Sequence, residues 1–127
     1  MKSYTDLEQS KKLAEFLPLE SADMFWDMAE PDKRRKPLVG PISDYFDMED
    51  WAVPAWSLSA LLGLMPKLYE FENDPNDGGC QPKLCKGWDN NQWHIVYRSS
   101  IYITEWYDDP IDAAFEMICW LKENDKL

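Results

Sequence analysis

The feature that constrains the fold most is the stretch QWHIVYRSSIYITEW, which covers residues 92–106. It is rich in aromatic and β-branched residues, which are enriched in β-strands. Together with the preceding PKLCK segment, it predicts three short strands at Pro82–Lys86, Gln92–Arg98 and Ile101–Trp106. The turn-forming stretches DNNQ and SS separate them. We therefore predict a short antiparallel β-meander in the second half of the chain.

The register of this meander predicts which side chains share a face. A two-residue turn at Ser99 and Ser100 makes paired residue numbers sum to a constant, so that His94 lies opposite Glu105. One face then carries Trp93, Ile95, Tyr97, Tyr102, Thr104 and Trp106. The other carries His94, Val96, Arg98, Ile101, Ile103 and Glu105. The aromatic face is either core or an exposed binding surface, and the sequence leaves both interpretations open.

Two segments in the first half of the chain predict helices. TDLEQSKKLAEFLP is amphipathic, with Thr5 and Glu8 at capping-box spacing and Pro18 as its end. SLSALLGLM contains no charged residue, and Ser57 is its expected N-cap. We expect this second helix to be central to the core. Its small residues, Ser59 and Gly63, predict close approach of another backbone.

The last predicted helix, PIDAAFEMICWLKEN, has an unusually narrow polar stripe formed by Asp112, Glu116 and Glu123. Such a wide apolar surface indicates a helix packed on both sides or shared with a partner. Tryptophans flanking the DNNQ turn are further candidates, because aromatic residues are enriched at interfaces. The predicted partner-binding residues are Ala113, Met117, Trp120, Trp88 and Trp93.

These elements predict an α+β fold in which the meander is packed by about three helices. A chain of 127 residues has the length of one domain, so we predict a single α+β domain over residues 1–127.

Between residues 19 and 51 the sequence pattern does not favour one type of secondary structure. LESADMFWDM fits a helix extension or a short strand, and a long loop follows with a short strand near Leu38–Ile42.

Charge and cysteine content bound the protein's environment. The formal net charge is −11, which argues against direct nucleic-acid binding because that requires basic residues on the phosphates. The basic cluster Lys33–Lys36 fits a localisation or phosphate-binding patch, although we favour a solvated loop. No apolar run reaches the length of a membrane span, and the N-terminus lacks a signal-peptide core. An odd number of cysteines, three, fits a reducing compartment, so we predict a cytoplasmic protein.

The cysteines and the single histidine are the only candidates for a metal site: Cys80, Cys85, His94 and Cys119. Their spacing lacks the paired short motifs of structural zinc sites. Cys80 and Cys85 are also too far apart for the usual redox motif. A nucleophile formed by either cysteine with His94 would need an orienting partner, for which Glu105 is a candidate, but a histidine beside a glutamate on a strand is usually a surface pair. No phosphate-binding loop or nucleophile motif is present. We therefore predict no metal, no cofactor and no enzymatic activity.

Three segments, YTDLEQSKKLAEFLPLESADM, VPAWSLSALLGLMPK and DPIDAAFEMICWLKE, carry a resemblance. In this order, they resemble small uncharacterised proteins encoded by gut anaerobic bacteria, often within mobile or prophage-like regions. PAWSLSALL is the most specific part, and the segment around Cys80 and Cys85 departs from the pattern. The resemblance implies a small α+β domain and carries no activity, cofactor or site residue.

These observations lead to three functional hypotheses. We favour a non-catalytic module that self-associates or binds a protein partner. The alternative is an acidic inhibitor that mimics nucleic-acid charge, with the acids of residues 44–50 and 70–77 facing a basic enzyme. The third is a metal protein or enzyme centred on Cys80, Cys85 and His94, and it has the least support.

Overall fold

The fold was analysed in a computed structural model, which describes residues 2–27, 37–39, 52–71, 74–98 and 100–127. Within these residues, three α-helices and two small antiparallel sheets confirm the predicted α+β class. The chain groups into two compact units, Lys2–Ala60 and Leu61–Leu127, and each is described by itself. Among the described residues, no helix is both long enough and apolar enough to cross a membrane.

In the first unit, helix α1 (Leu7–Ala14) precedes a three-stranded sheet. The strands are β1 (Met24–Asp27), β2 (Leu38–Val39) and β3 (Ala52–Ala55), in the order β2-β1-β3. Both neighbours run antiparallel to β1, which is the central strand. Pro54 lies in β3, which is an edge strand among the described strands, and edge strands are where a sheet tolerates proline.

The segment after α1, for which the sequence allowed a helix extension or a short strand, contains a short piece of each. A single 3-10 turn covers Leu19–Ser21, and strand β1 follows it. The strand expected near Leu38–Ile42 is present at Leu38–Val39, and the rest of that prediction lies outside the described residues. Strand β3 was not predicted from the sequence.

The cap of α1 differs by one residue from the prediction. Asp6, not Thr5, is the N-cap: its Oδ1 accepts the Gln9 N–H at 2.8 Å. The Gln9 side chain accepts the Asp6 N–H in return at 3.1 Å, which completes the capping box. Thr5 is fully buried instead, and its hydroxyl accepts the Trp56 N–H at 3.1 Å. The predicted capping box is therefore present, but it begins one residue later than predicted. The Thr5 hydroxyl does not cap the helix because it accepts a hydrogen bond from the Trp56 N–H in the core.

Helix α2 (Leu58–Leu64) is capped as predicted, since Ser57 Oγ accepts the Ala60 N–H at 3.1 Å. Leu61 is fully buried, and Met65, directly after the helix, is also buried, so part of the predicted apolar face lies in the core. The close-packing role predicted for Gly63 is not seen. Among the described residues, a Cβ at Gly63 would meet no atom within 4 Å, so none of their backbones packs closely against it.

The second unit contains the predicted hairpin and the last helix. Strands β4 (Lys83–Lys86) and β5 (Trp93–Val96) pair antiparallel. Helix α3 (Pro110–Glu123) contacts β5 and begins with Pro110, which favours the first helical turn. The third predicted strand, Ile101–Trp106, is present as a segment that adds bridges to the other edge of β5 at Val96–Ile103 and Trp93–Tyr107.

A bulge separates these two bridges. Val96 pairs with Ile103 as the two-residue turn predicts, but Trp93 pairs with Tyr107, so the third segment contains one extra residue. The Ile95 N–H is donated to the Thr104 hydroxyl at 2.9 Å, not to a backbone carbonyl. The bulge reverses the alternation, and Trp106 is therefore on the opposite face from the one predicted.

Candidate interaction surface

The β4–β5 turn presents Trp88 to solvent. The Gly87 N–H is donated to the Gln92 carbonyl at 2.8 Å, and Asn90 Oδ1 accepts the Gln92 N–H at 3.1 Å. Asn91 closes the turn with φ of 55°, a left-handed conformation that asparagine tolerates well. A side chain at Gly87 would collide with Asn90. In this turn the Trp88 side chain is 95% exposed.

The outer face of the hairpin is formed by Cys85, His94, Val96, Ile103 and Trp106. Cys85 pairs with His94 and Val96 with Ile103, and cross-strand partners project to the same side of a sheet. The Trp106 indole stacks on the His94 ring, with centroids 3.9 Å apart and planes 8° apart. Trp106 remains 41% exposed and Ile103 40% exposed. The face is therefore a partly apolar surface open to solvent.

Carboxylates accompany both exposed tryptophans. Asp89 follows Trp88 in the turn and is exposed. Asp108, two residues after Trp106, accepts a hydrogen bond from the Gln92 side chain at 3.2 Å, which holds it beside the turn. We call Trp88, Asp89, Trp106 and Asp108 the tip surface.

Neither lysine of the hairpin strands combines the turn end with the outer face, as the tip surface does. Lys83 pairs with Val96, at the end of the strands farthest from the turn. Lys86 pairs with Trp93 on the opposite, inner face, and its amine lies 5.5 Å from the centre of that indole. The tip surface therefore combines aromatic rings with negative charge.

The inner face is tied to α3 by Glu116. Its carboxylate accepts hydrogen bonds from the hydroxyls of Tyr102 at 2.6 Å and Tyr107 at 2.7 Å. The Glu105 N–H is also donated to it, at 3.3 Å. We call these groups the Glu116 clamp. The sequence pattern indicated only that Glu116 belongs to a polar stripe, because helical periodicity cannot show which donors surround a side chain.

The clamp changes the acidity of its tyrosines. Partial burial, followed by the hydrogen bond to Glu116, raises the pKa of Tyr107 to about 12. The same two causes, in the same order, raise the pKa of Tyr102 further. Neutral phenols are therefore stabilised as donors. Neither tyrosine can act as a base near neutral pH. The Glu116 clamp therefore has a structural role, which is to hold α3 against the bulged segment.

Of the five predicted partner-binding residues, three have exposed surface. Ala113 and Met117 are fully buried and present no area to a partner in this structure. Trp120 is half-buried and stacks on Tyr102, with ring centroids 4.5 Å apart. Trp93 is also half-buried, beside Lys86, and Trp88 is almost fully exposed. The wide apolar surface of α3 is thus mostly covered, and the hairpin carries the exposed aromatic area.

The structure brings together two of the four metal candidates. Cys85 and His94 are cross-strand neighbours in the β4–β5 ladder. Cys80 lies in a separate bridge with Leu68, and Cys119 is on α3. In the described parts of the chain, the His, Cys, Asp and Glu side chains form no group of three that could hold a metal ion. His94 stacks on Trp106 and does not face Glu105 as predicted, because the bulge shifts the register.

The acids of residues 70–77 are partly used inside the chain. Asp77 accepts the N–H groups of Phe71 at 2.8 Å and Gly79 at 2.9 Å, and Arg98 lies 3.3 Å away. These backbone hydrogen bonds, with the Arg98 charge, lower the pKa of Asp77. Glu70 also pairs with Arg98, at 3.4 Å. Both carboxylates thus serve to close the loop, while residues 44–50 lie outside the described residues.

Comparison with protein-family models, with curated proteins and with solved structures gave no match to this chain. The resemblance to small proteins of gut anaerobes stays a prediction.

Proposed function

We propose that this protein is a non-catalytic interaction module that binds a protein partner through the tip surface and the adjoining outer face of the hairpin. The observation that carries the proposal is Trp88, which is 95% exposed in a turn held by its own hydrogen bonds. Tryptophan is the residue most enriched among those that dominate binding energy at protein interfaces.

Trp106 supports the same surface. His94 covers one face of its indole, which fixes the ring orientation before any partner binds. An ordered side chain loses less entropy on binding, so preorganisation favours affinity. From His94 to Gln92, next to the turn that bears Trp88, the distance along the strand is about 7 Å. Both tryptophans therefore lie within reach of one partner.

The proposal places the module in the cytoplasm. Cys80 and Cys85 are free thiols in the structure, and half-exposed free thiols fit a reducing compartment. Self-association is the competing form of the same proposal, and the experiment below separates the two.

The test is affinity capture with the wild-type protein and a double variant, Trp88→Ala/Trp106→Ala, combined with sedimentation measurements on both. We expect the wild type to retain a specific partner that the double variant loses. Phe71→Ala is the matched control, because Phe71 is an exposed aromatic residue outside the hairpin (60% exposed).

Partner retention that is equal in the wild type and the double variant would refute the proposed surface. A concentration-dependent dimer that the double variant lacks, with no other partner captured, would assign the surface to self-association. Thermal unfolding of each variant checks that the fold is intact, which we expect because both replaced side chains are largely or partly in solvent.

A further inference from the structure

The chemistry of the tip surface identifies the class of partner. We infer that the tip surface binds an arginine-rich segment of the partner, with guanidinium groups stacked on Trp88 and Trp106 and paired with Asp89 and Asp108. This inference rests on the proposed function and specifies what the module recognises.

The first step is the pairing of aromatic rings with carboxylates. Asp89 is adjacent to Trp88 in sequence, and Asp108 is held at the turn by Gln92 at 3.2 Å. A cation over an indole face is attracted by the ring quadrupole, and tryptophan is the best aromatic partner for it. A carboxylate beside the ring adds an ion pair. Two exposed indoles with neighbouring acids are thus complementary to two or more cationic side chains.

The second step is the way this chain pairs its own cations. The Lys86 amine lies 5.5 Å from the centre of the Trp93 ring, and the Lys67 amine lies 5.7 Å from that of Tyr69. Arg98 is held between Glu70 and Asp77. The second unit therefore places three of its cations on aromatic rings or between carboxylates. The tip surface offers both kinds of group. In the described residues, no lysine or arginine forms an ion pair or a cation–aromatic contact with Trp88, Asp89, Trp106 or Asp108.

The third step is charge complementarity. The chain carries a net charge of −11, so a second copy would approach the tip surface against strong repulsion. A basic segment is attracted at long range and retained by the short-range contacts. Arginine suits the surface better than lysine, because its planar guanidinium stacks on an indole while donating to a carboxylate. These arguments favour an arginine-rich segment over an acidic, apolar or identical partner.

The test uses a synthetic peptide of alternating arginine and glycine, titrated into isotopically labelled full-length protein. The readout is the set of tryptophan indole N–H signals in two-dimensional NMR, with affinity from calorimetry. We expect the signals of Trp88 and Trp106 to shift and the affinity to fall steeply as salt is added. The same peptide with lysine should bind more weakly, and with glutamate it should not bind.

Single variants separate contact from bulk charge. Trp88→Ala and Trp106→Ala should each weaken binding about two- to fivefold, as expected for one exposed cation–aromatic contact. Asp89→Asn/Asp108→Asn should weaken it and reduce its salt dependence. The matched control is Glu8→Gln/Glu15→Gln, which removes the same charge from exposed positions on and just after α1. We expect little change from that pair.

Two outcomes would overturn the inference. One is an arginine peptide that leaves the Trp88 and Trp106 signals unmoved; the other is equal weakening by the two charge-neutralised pairs, which would mean non-specific attraction. The proposed function has its own failure, namely partner capture that survives Trp88→Ala/Trp106→Ala. A captured partner that depends on both tryptophans but is not displaced by the arginine peptide would retain the function and refute this inference. Displacement by the peptide would support both.

Discussion

At the residue scale, the most informative side chain is Glu116. One carboxylate accepts two phenol hydroxyls and a backbone N–H, and so joins α3 to the bulged segment. Hydrogen bonds to a charged acceptor are stronger than neutral ones. The clamp also keeps Tyr102 in place beneath Trp120, with ring centroids 4.5 Å apart. The sequence shows Glu116 only as a member of the polar stripe of α3, whereas in the structure its carboxylate joins α3 to the bulged segment.

This arrangement predicts an alkaline transition that depends on Glu116. In the folded protein the pKa of Tyr107 is raised from 10.0 to about 12, so folding favours the neutral phenol. The resulting stabilisation is complete below about pH 10, where tyrosine is neutral in both states, and is lost as pH rises toward 12. Glu116→Gln removes the carboxylate charge but leaves burial, the larger cause, so the pKa of Tyr107 and of Tyr102 should fall only part of the way toward 10. Tyrosinate absorbance against pH measures the change.

Tyr107→Phe provides the control for that titration, because it deletes one phenol that titrates above pH 10 and leaves the carboxylate in place.

We expect Glu116→Gln to lower the unfolding free energy by about 1–3 kcal/mol at neutral pH, which is the range for hydrogen bonds of this kind. An unchanged titration curve in Glu116→Gln would show that burial alone raises the two pKa values.

Thr104 gives a second prediction at this scale. Its buried hydroxyl accepts the Ile95 N–H at 2.9 Å and donates to the Glu105 carbonyl at 3.0 Å. Thr104→Val leaves a buried N–H without an acceptor and should lower the unfolding free energy by about 1–3 kcal/mol in urea titration. Thr104→Ser keeps the hydroxyl and should lose clearly less. Equal losses would attribute the effect to the methyl group and not to the hydrogen bond.

At the element scale, the hairpin explains why the outer face exists. Pairing along β4 and β5 follows simple alternation, which the sequence shows directly, and Ile95 is accordingly buried. The bulge then adds one residue before Tyr107, so Tyr107 returns to the inner face and Trp106 is placed over His94. One inserted residue thus converts a side chain predicted to share the Ile95 face into part of an exposed surface.

The N-terminal cap of α1 predicts how much stability this helix loses when Asp6 is replaced. Asp6 accepts the Gln9 N–H and also lies 3.0 Å from the Lys2 amine. Asp6→Ala removes the cap and should cost about 1 kcal/mol of unfolding free energy. Glu8→Gln, an exposed first-turn change that leaves the cap intact, should stay within about 0.5 kcal/mol. A comparable loss in both variants would mean that first-turn charge, and not the cap, stabilises this helix.

How far the sequence predicts this protein depends on the range of the interactions involved. Local patterns located α1, α2, α3, β4 and β5, because periodicity, caps and prolines act within a few residues. Strand β3 was missed because Pro54 argues against a strand until a neighbour such as β1 pairs with it on one side. The N-cap of α1 is Asp6 and not Thr5 for a similar reason, because the Thr5 hydroxyl accepts a hydrogen bond from Trp56, which is distant in sequence.

The candidate surface was predictable only in part, for the same reason. Trp88 could be chosen because it stands in a turn rich in Asn, Asp and Gly, where a tryptophan has no core to enter. Met117 and Ala113 were chosen from the helical wheel of α3, which shows an apolar face but not what covers it. Both prove fully buried. The contribution of Trp106 depends on a bulge that no local pattern indicates.

At the scale of the whole molecule, the excess of acids sets the response to salt. With 24 acidic and 13 basic residues, folding brings like charges together and net repulsion opposes it. Added salt shortens the reach of that repulsion to about 10 Å at 0.1 M. We therefore expect the urea midpoint of unfolding to rise as sodium chloride is added from low concentration. Urea is the suitable denaturant because it is uncharged.

The same screening should act in the opposite direction on binding. If the tip surface recognises an arginine-rich segment, salt weakens that attraction while it strengthens the fold, so affinity falls over the range in which the urea midpoint rises. Measuring affinity and the urea midpoint in one salt series separates the two effects, because loss of binding through unfolding would require the midpoint to fall.

A midpoint that decreases with salt would mean that surface ion pairs such as Lys2–Asp6 outweigh the net repulsion. Affinity that is indifferent to salt, with a rising midpoint, would place the binding energy in the indole rings and not in Asp89 and Asp108.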